Sequence, residues 1–344
     1  MKKLIPLILG LGLASIVIAQ GNKPTIDYSA PPNATFTAEE VTVSGNGYTL
    51  AGTLLLPRNS KRRLPAVITI TGSGQQTRDE PIPFPNLEKY RPMRQIAEAL
   101  ASRGIAVLRV DDRGVGGSGG RDTLMTATSS SFADDVRAEV AYLRTRSEID
   151  PKRIALVGHS EGGMIAPMVA ASDPQIAAIV SMAGDGKRGD LISKEQLEDA
   201  LAPLNLPPET ANQERAKQAA IIQAVQSGAD LSNYPAEVRL PWIKEFWTYD
   251  PLTTIRKVRQ PILILQGALD QQIRAEQAGM LERAAREAGN KDVTKQVFPN
   301  LNHLFLPAKT GSFSEYSTLA TSVIGDDVLK VMGDWLVVKL KAKP

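Results

Sequence analysis

The pentapeptide Gly158-His159-Ser160-Glu161-Gly162 decides the fold. It follows an apolar run, 154–157, and precedes a run of small residues, 163–170, so it lies where a strand turns sharply into a helix. Glycines flank Ser160 because the two backbones approach closely there and side chains would clash. The pattern G-x-S-x-G is weak alone, since roughly one chain in ten of this length would contain it by chance. The flanking elements and the downstream residues must carry the interpretation.

Apolar strand-like runs alternate with helical patterns on both sides of this turn. A hairpin signal at 42–56, around Gly45-Asn46-Gly47, comes first. The later runs are short and continuously apolar, which is typical of buried parallel strands. We predict an α/β fold, with a mostly parallel central sheet, flanking helices and an N-terminal antiparallel hairpin. The predicted strands are 65–70, 105–110, 154–157, 176–182, 261–265 and 294–298, and the predicted helices are 92–102, 132–146, 162–171, 274–288 and 323–340.

One connection, of about eighty residues between Met182 and Pro261, is much longer than a crossover needs. It contains helical patterns around 191–201, 209–227 and 236–247. We predict a helical cap insertion at 186–248 over the carboxyl ends of the strands, and a core formed by 38–185 and 249–344. The cap aromatics are predicted to border the substrate pocket; alternatively, they only fix the insertion to the core. These aromatics are Trp242, Phe246 and Trp247.

The N-terminus predicts export. Lys2 and Lys3 precede an apolar stretch that ends in Val17-x-Ala19, which is typical of a secretory signal peptide over 1–19. An irregular leader is expected over 20–37, and the mature chain is expected to be secreted or periplasmic, without a membrane span. The alternative is an uncleaved anchor.

Composition excludes several classes of function. The 344 residues contain no cysteine, which excludes thiol catalysis, cysteine metal sites and disulfides. A net charge of +3 gives no reason to expect nucleic acid as a partner. The pattern of residues predicts no metal and no cofactor, and a small molecule as the ligand.

Two histidines are available to activate Ser160. A serine hydroxyl is a poor nucleophile until a base takes its proton, and histidine is the usual base. His159 adjoins the serine, and neighbours at a sharp turn point to different sides, so we expect it only to pack there. His303 follows the last predicted strand, on a loop at the edge of the sheet where catalytic groups gather. We therefore predict that His303 is the base.

An acid is needed to orient that histidine, and Asp270 is the candidate. It follows the predicted strand 261–265 directly, so it lies at the same edge of the sheet. Its alternative role is to cap the helix that begins near Arg274. The chain order Ser160, Asp270, His303 is the order of the α/β-hydrolase fold and of no other triad fold considered.

Two backbone N–H groups are needed to hold an oxyanion. The first is predicted to be the amide of Glu161, at a helix N-terminus. The second is expected in the glycine-rich loop 71–74, from Ser73, with Gly74 as the alternative; a plain glycine turn is the other interpretation of that loop. Gly72 and Gly74 are also predicted to border the pocket.

A second glycine cluster, 111–120, superficially resembles a dinucleotide-binding loop. No clear helix follows it, and no acidic residue ends a next strand at the expected distance. We predict a structural loop near the site, with Arg113 as a possible pocket residue.

As a set, these motifs resemble bacterial α/β-hydrolase esterases, of the carboxylesterase group related to dienelactone hydrolases and serine-aminopeptidase-like hydrolases. The likeness covers residues 40–340. It is specific for the fold and the triad and poorly specific for the substrate. Thr71 departs from it, since many relatives have histidine there. The motifs are Gly72-Ser73-Gly74 with Arg78-Asp79, Asp112-Arg113-Gly114-x-Gly116, Gly158-His159-Ser160-Glu161-Gly162-Gly163, Tyr249-Asp250-Pro251, Gly267-x-x-Asp270 and Asn302-His303-Leu304-Phe305.

The sequence thus predicts a secreted serine esterase that forms an acyl-enzyme on Ser160. Two alternatives stay open. A serine peptidase or amidase would use the same fold and triad, and a non-catalytic binding protein would use the scaffold alone.

Overall fold

Eight strands form one sheet in the computed structural model, which describes residues 26–58 and 60–343. Their order across the sheet is β1-β2-β4-β3-β5-β6-β7-β8. The hairpin β1–β2 and the pair β2–β4 are antiparallel, and the other pairs are parallel. The predicted fold class is confirmed. The strands are β1 Phe36–Ser44, β2 Thr49–Pro57, β3 Leu64–Ile70, β4 Ala106–Val110, β5 Ile149–His159, β6 Ala178–Met182, β7 Ile262–Gly267 and β8 Val293–Phe298.

Strand β1 begins inside the range that the sequence assigned to an irregular leader. Phe36 pairs with Pro57 at the end of β2, so the hairpin begins six residues before the predicted range of 42–56. The predicted signal peptide, 1–19, lies outside the described residues.

Helices cover both faces of the sheet. Alternate residues of β3 and β4 point to opposite faces, as the period of a strand requires. The helices are α1 Pro92–Ala101, α2 Ser129–Thr145, α3 Glu161–Ser172, α4 Gly189–Leu201, α5 Pro208–Ser227, α6 Pro241–Thr248, α7 Pro251–Ile255, α8 Glu276–Glu287 and α9 Asp326–Leu340. On one face of the sheet Ile68 and Leu108 pack with α2, α3 and α8, and on the other Val67 and Val107 pack with α1 and α9.

The stretch predicted as a cap contains α4, α5 and α6. A small apolar core around Ile222, Ile243 and Trp247 joins α5 to α6. One continuous helix was expected over 236–247. Instead, a short 3₁₀ helix is followed by extended backbone at Leu240, with ψ 133°, before α6 begins. Pro241 causes this break, because proline lacks an N–H and disfavours helical backbone in the preceding residue.

No helix within the described ranges is long and apolar enough to cross a membrane.

Candidate active site

Ser160 occupies a strained turn between β5 and α3. Its backbone has φ 54° and ψ −120°, a conformation that non-glycine residues rarely adopt. The turn is fixed by hydrogen bonds from the Ser160 amide to the Met182 carbonyl and from the Gly163 amide to the Ser160 carbonyl, both 2.8 Å long. A Cβ on Gly158 would clash with the Gly162 carbonyl, so the close approach of strand and helix requires glycine there.

His303 is held by Asp270. The distance from His303 Nδ1 to Asp270 Oδ2 is 2.8 Å, and both side chains are buried. Oδ2 also accepts a 2.8 Å bond from the side-chain amide of Gln266. Oδ1 accepts bonds from the amides of Gln272 and Ile273, each 2.8 Å long. Asp270 therefore both caps a turn and orients the imidazole.

The loop that carries His303 is fixed through its backbone. The side-chain oxygen of Asn302 accepts bonds from the amides of Leu304 and Leu306, at 3.0 and 3.1 Å. The Tyr90 hydroxyl donates a 2.9 Å bond to the Leu304 carbonyl. Phe305 has φ 55°, so the chain turns tightly just after the histidine.

Ser160 and His303 line one cavity of about 180 Å³. No hydrogen bond joins the Ser160 hydroxyl to the His303 ring in this structure, and such bonds are often long in enzymes without substrate. The other lining residues come mainly from the loop after β3 and from the segment after β8. They are Gly72, Ser73, Gln76, Glu80, Ile82, Pro83, Phe84, His159, Gln272, Leu304, Phe313 and Tyr316.

Both ring nitrogens of His159 are engaged away from the serine hydroxyl. Nδ1 lies 2.7 Å from Oε1 of Glu80, and Nε2 lies 2.9 Å from the carbonyl oxygen of His303. The ring is buried. His159 therefore cannot serve as the base for Ser160 without giving up these bonds, and it does more in the turn than pack there.

The amides near Ser160 differ in their availability. The Gly72 amide donates a 3.0 Å bond to Glu80 Oε1. The amides of Ser73, Gly74 and Glu161 donate to none of the described residues, and the Glu161 amide opens α3, where the helix dipole favours negative charge. Gly74 has φ 100°, a conformation that suits glycine.

The side chain of Glu161 connects the turn to the helical insertion. Its Oε1 accepts bonds from the Ser129 hydroxyl at 2.5 Å and from Trp242 Nε1 at 2.7 Å. Burial raises the pKa of this carboxyl. The hydrogen bonds that it accepts act in the opposite direction but do not cancel the rise.

Several residues predicted for the pocket lie elsewhere. Gly72 lines the cavity at Ser160, but Gly74 and Arg113 border a neighbouring cavity of about 30 Å³. Arg113 is buried and its Nε donates a 2.8 Å bond to Asp135, so its charge is already neutralised.

The insertion's aromatics pack among themselves and do not line the cavity at Ser160. Trp242 stacks on Phe246 with ring centroids 5.0 Å apart. Trp247 is buried and donates a 3.0 Å bond from Nε1 to the Ser193 hydroxyl.

The second glycine cluster supports the loop after β3. Asp112 Oδ1 accepts a 3.1 Å bond from the Thr71 hydroxyl, and Oδ2 accepts a 2.9 Å bond from the Gln76 amide.

Across 26–58 and 60–343, no group of three or more histidine, aspartate or glutamate side chains is arranged to hold a metal ion.

Comparison with known proteins places the chain in a family. Residues 87–308 match the family Hydrolase_4, described as serine aminopeptidase, S33. The chain belongs to this family. Esterase EstD from Thermotoga maritima is 25% identical over 316 residues, which cover 90% of this chain and 69% of EstD.

Solved structures share the fold. The Pyrococcus furiosus esterase Pf2001 superposes with a TM-score of 0.57 at 16% identity, covering 93% of this chain and 99% of that one. A putative dienelactone hydrolase from Klebsiella pneumoniae has a TM-score of 0.54 at 16% identity, covering 89% of this chain and 98% of its own. The resemblance drawn from the motifs is confirmed, and the chain is a hydrolase of the esterase and serine-hydrolase group.

Sequence reasoning missed the residues that complete the site. Neither Glu80 nor Gln266 is among the predicted site residues. The aromatic wall was also missed, because Phe84, Phe313 and Tyr316 are far apart in sequence and carry no motif. The asparagine before His303 was the one available signal, since asparagine commonly fixes turns.

Proposed function

We propose that this chain is a secreted serine hydrolase that cleaves carboxylic esters through Ser160, His303 and Asp270. The observation that carries the proposal is the Asp270–His303 hydrogen bond of 2.8 Å beside a cavity that Ser160 also lines. In this proposal Ser160 attacks the ester carbonyl and His303 takes its proton. Asp270 keeps the hydrogen on Nδ1, so that Nε2 is free to act as the base.

The oxyanion would be held by the amides of Glu161 and Ser73. Gly72 is a poor donor because its amide already binds Glu80. His303 then returns the proton to the leaving alcohol, which departs and leaves an acyl group on Ser160. Water, activated by His303, attacks the acyl carbonyl and releases the acid.

The cavity suits an uncharged ester with a small apolar or aromatic part. Its apolar wall includes Phe84, Phe313 and Tyr316, whose rings pack edge to face or tilted, with centroids 5.3–5.8 Å apart. A volume of about 180 Å³ leaves room for a small group rather than a long chain.

A peptidase is the second candidate, because the family takes its description from an aminopeptidase. An aminopeptidase needs a carboxylate for the substrate's ammonium group. Among the described lining residues, Glu80 is the one carboxylate; its Oε1 is already bound by His159 and Gly72, and its Oε2 is buried away from the cavity's solvent. This arrangement favours the ester over the peptide.

The test is hydrolysis of p-nitrophenyl esters of graded acyl length, with an aminoacyl p-nitroanilide beside them. We expect Ser160→Ala to lower kcat at least roughly a thousandfold and to abolish labelling by a fluorophosphonate probe. Ser317→Ala is the matched control, since it makes the same change at an exposed serine. Full ester turnover by Ser160→Ala would contradict the proposal, and faster anilide turnover would favour the peptidase.

Secretion is supported by the sequence of 1–19 alone. Expression of the full chain in a Gram-negative host, followed by cell fractionation and N-terminal sequencing, tests it. We expect exported protein that begins at Gln20. Retention of the intact N-terminus in the cytosol would contradict export.

A further inference from the structure

A single carboxylate oxygen connects three segments of the site. Oε1 of Glu80 accepts the Gly72 amide at 3.0 Å and faces His159 Nδ1 at 2.7 Å. His159 Nε2 lies 2.9 Å from the carbonyl oxygen of His303. The loop after β3, the turn at Ser160 and the loop of His303 are therefore joined by one continuous chain of hydrogen bonds.

The protonation of this chain follows from its geometry. The carbonyl of His303 can only accept, so His159 Nε2 carries a hydrogen. A carboxylate oxygen can only accept, so the 2.7 Å contact of Glu80 Oε1 requires a hydrogen on His159 Nδ1 as well. Burial opposes the resulting charge on His159, but the Glu80 carboxylate and the His303 carbonyl outweigh it and raise the pKa of His159.

Ion pairs of the two preceding residues hold Glu80 in place. Its backbone has φ 55°, which is uncommon for a residue other than glycine. The preceding Arg78 makes two 3.0 Å bonds to Asp111, and Asp79 pairs with the buried Arg109. The strain is thus sustained by buried ion pairs, and its effect is to direct the carboxylate toward His159.

We propose that Glu80 and His159 form one positioning unit, which keeps the loop of His303 aligned with Ser160 and with the amides of loop 71–74. This inference rests on the proposed function. Glu80 and His159 are 5% and 4% exposed, so the hydrogen bond between them is shielded from water and its loss is not replaced by solvent. The imidazole of His159 also packs on that of His303, with centroids 4.9 Å apart.

The test is a double-mutant cycle with Glu80→Ala, His159→Phe and the double variant. We expect each single change to lower kcat on a p-nitrophenyl ester roughly 10- to 100-fold with KM within about threefold, because small misplacements of reacting groups cost this much. Fluorophosphonate labelling should slow in proportion. The double variant should be no slower than the slower single variant, since the pair acts as a unit.

Glu80→Gln is the conservative variant and keeps the cycle interpretable if the larger changes impair folding. Its amide oxygen, in the position of Oε1, can still accept from the Gly72 amide and from a hydrogen on His159 Nδ1, so we expect it to retain more of kcat than Glu80→Ala. Glu98→Gln makes the same change on the outer surface of α1 and should behave as wild type. Melting curves of all variants identify the folded ones.

Three outcomes would overturn the inference. Folded variants with kcat within twofold of wild type would show that the pair does not position the site. Multiplicative losses in the double variant would show that the two residues act separately, and a loss confined to KM would indicate substrate binding. Ser160→Ala, assayed in parallel, separates these failures from failure of the proposed function, because only the latter leaves that variant active.

Discussion

At the scale of single residues, one side chain here commonly serves two purposes. Asp270 was predicted either to cap a turn or to orient a histidine, and the structure shows both contacts, one on each carboxylate oxygen. Glu161 was singled out for its amide, yet its carboxylate also binds Trp242. The capping and the orienting role of Asp270, which the sequence offered as alternatives, are therefore filled together.

Asp270→Asn separates the two contacts of this carboxylate. The asparagine oxygen can still accept from the amides of Gln272 and Ile273, so we expect the folded structure to persist. The amide nitrogen would face His303 Nδ1 and favour the wrong tautomer, which should lower kcat roughly 10²- to 10⁴-fold. The measurement is kcat on a p-nitrophenyl ester together with a melting curve.

Asp250→Asn is the matched control, because Asp250 caps α7 through the Leu252 amide. Asp250→Asn should lose about as little stability as Asp270→Asn and should keep the kcat of the wild type. Equal activity of the two variants would show that the Asp270–His303 contact has no part in the reaction.

At the scale of elements, the buried strands were the easiest to predict and their ends the hardest. The core of β5 at 154–157 was expected from its apolar run, but the strand begins at Ile149. That extension includes Pro151 and Lys152 and pairs at Ile149 with Leu64. The Leu64 amide donates a 2.7 Å bond to the Glu148 carbonyl beside the start of this extension, and the register shifts before Ile154. This pairing with a neighbouring strand is not revealed by the composition of the segment itself.

The hydrogen bond between Trp242 and Glu161 links α6 to α3, and its loss should measurably lower the free energy of unfolding. We expect Trp242→Phe to lower the free energy of unfolding by about 1–3 kcal/mol, because the buried carboxylate loses a donor. Urea denaturation measures the change.

Trp335→Phe removes the same atoms from a tryptophan whose Nε1 is buried without a partner among the described residues. We expect it to cost less than Trp242→Phe, because no hydrogen bond is lost. If both variants lose equal stability, the indole bond contributes nothing beyond volume.

At the scale of the whole molecule, the parallel sheet brings the site together. Loop 71–74, Ser160, Asp270 and His303 follow β3, β5, β7 and β8, and the carboxyl ends of parallel strands lie at one edge. The same assembly concentrates buried acids near the site. Burial raises the pKa values of Asp112, Glu139 and Glu161, and it raises the pKa of Asp185 to about 8, with further contributions from Glu161 and Asp270.

These acids should make the folded state less stable as pH rises. A carboxyl whose pKa is higher in the folded state binds more protons there, so its stabilisation is complete below pH about 4 and is lost as pH rises through about 8. We expect the free energy of unfolding to fall between pH 5 and pH 8. Asp185→Asn should reduce this fall by roughly 1 kcal/mol or more.

Urea denaturation at several pH values between 5 and 8 measures the effect. Asp334→Asn is the control, because Asp334 is exposed and Lys330 lowers its pKa. Its free energy of unfolding should fall between pH 5 and pH 8 by as much as that of the wild type. A wild-type stability that rises over this range, or an unchanged fall in Asp185→Asn, would contradict the prediction.

The sequence by itself determined the fold class and the candidates for the chemistry. Periodicity and apolar runs report the local environment of each segment, and two histidines left few choices for a base. Only the tertiary structure decided that Glu80 binds His159, that the Gly72 amide is engaged and that Phe84, Phe313 and Tyr316 form the cavity wall. These contacts join residues far apart in sequence, and they depend on strand register and loop path, which no local pattern encodes.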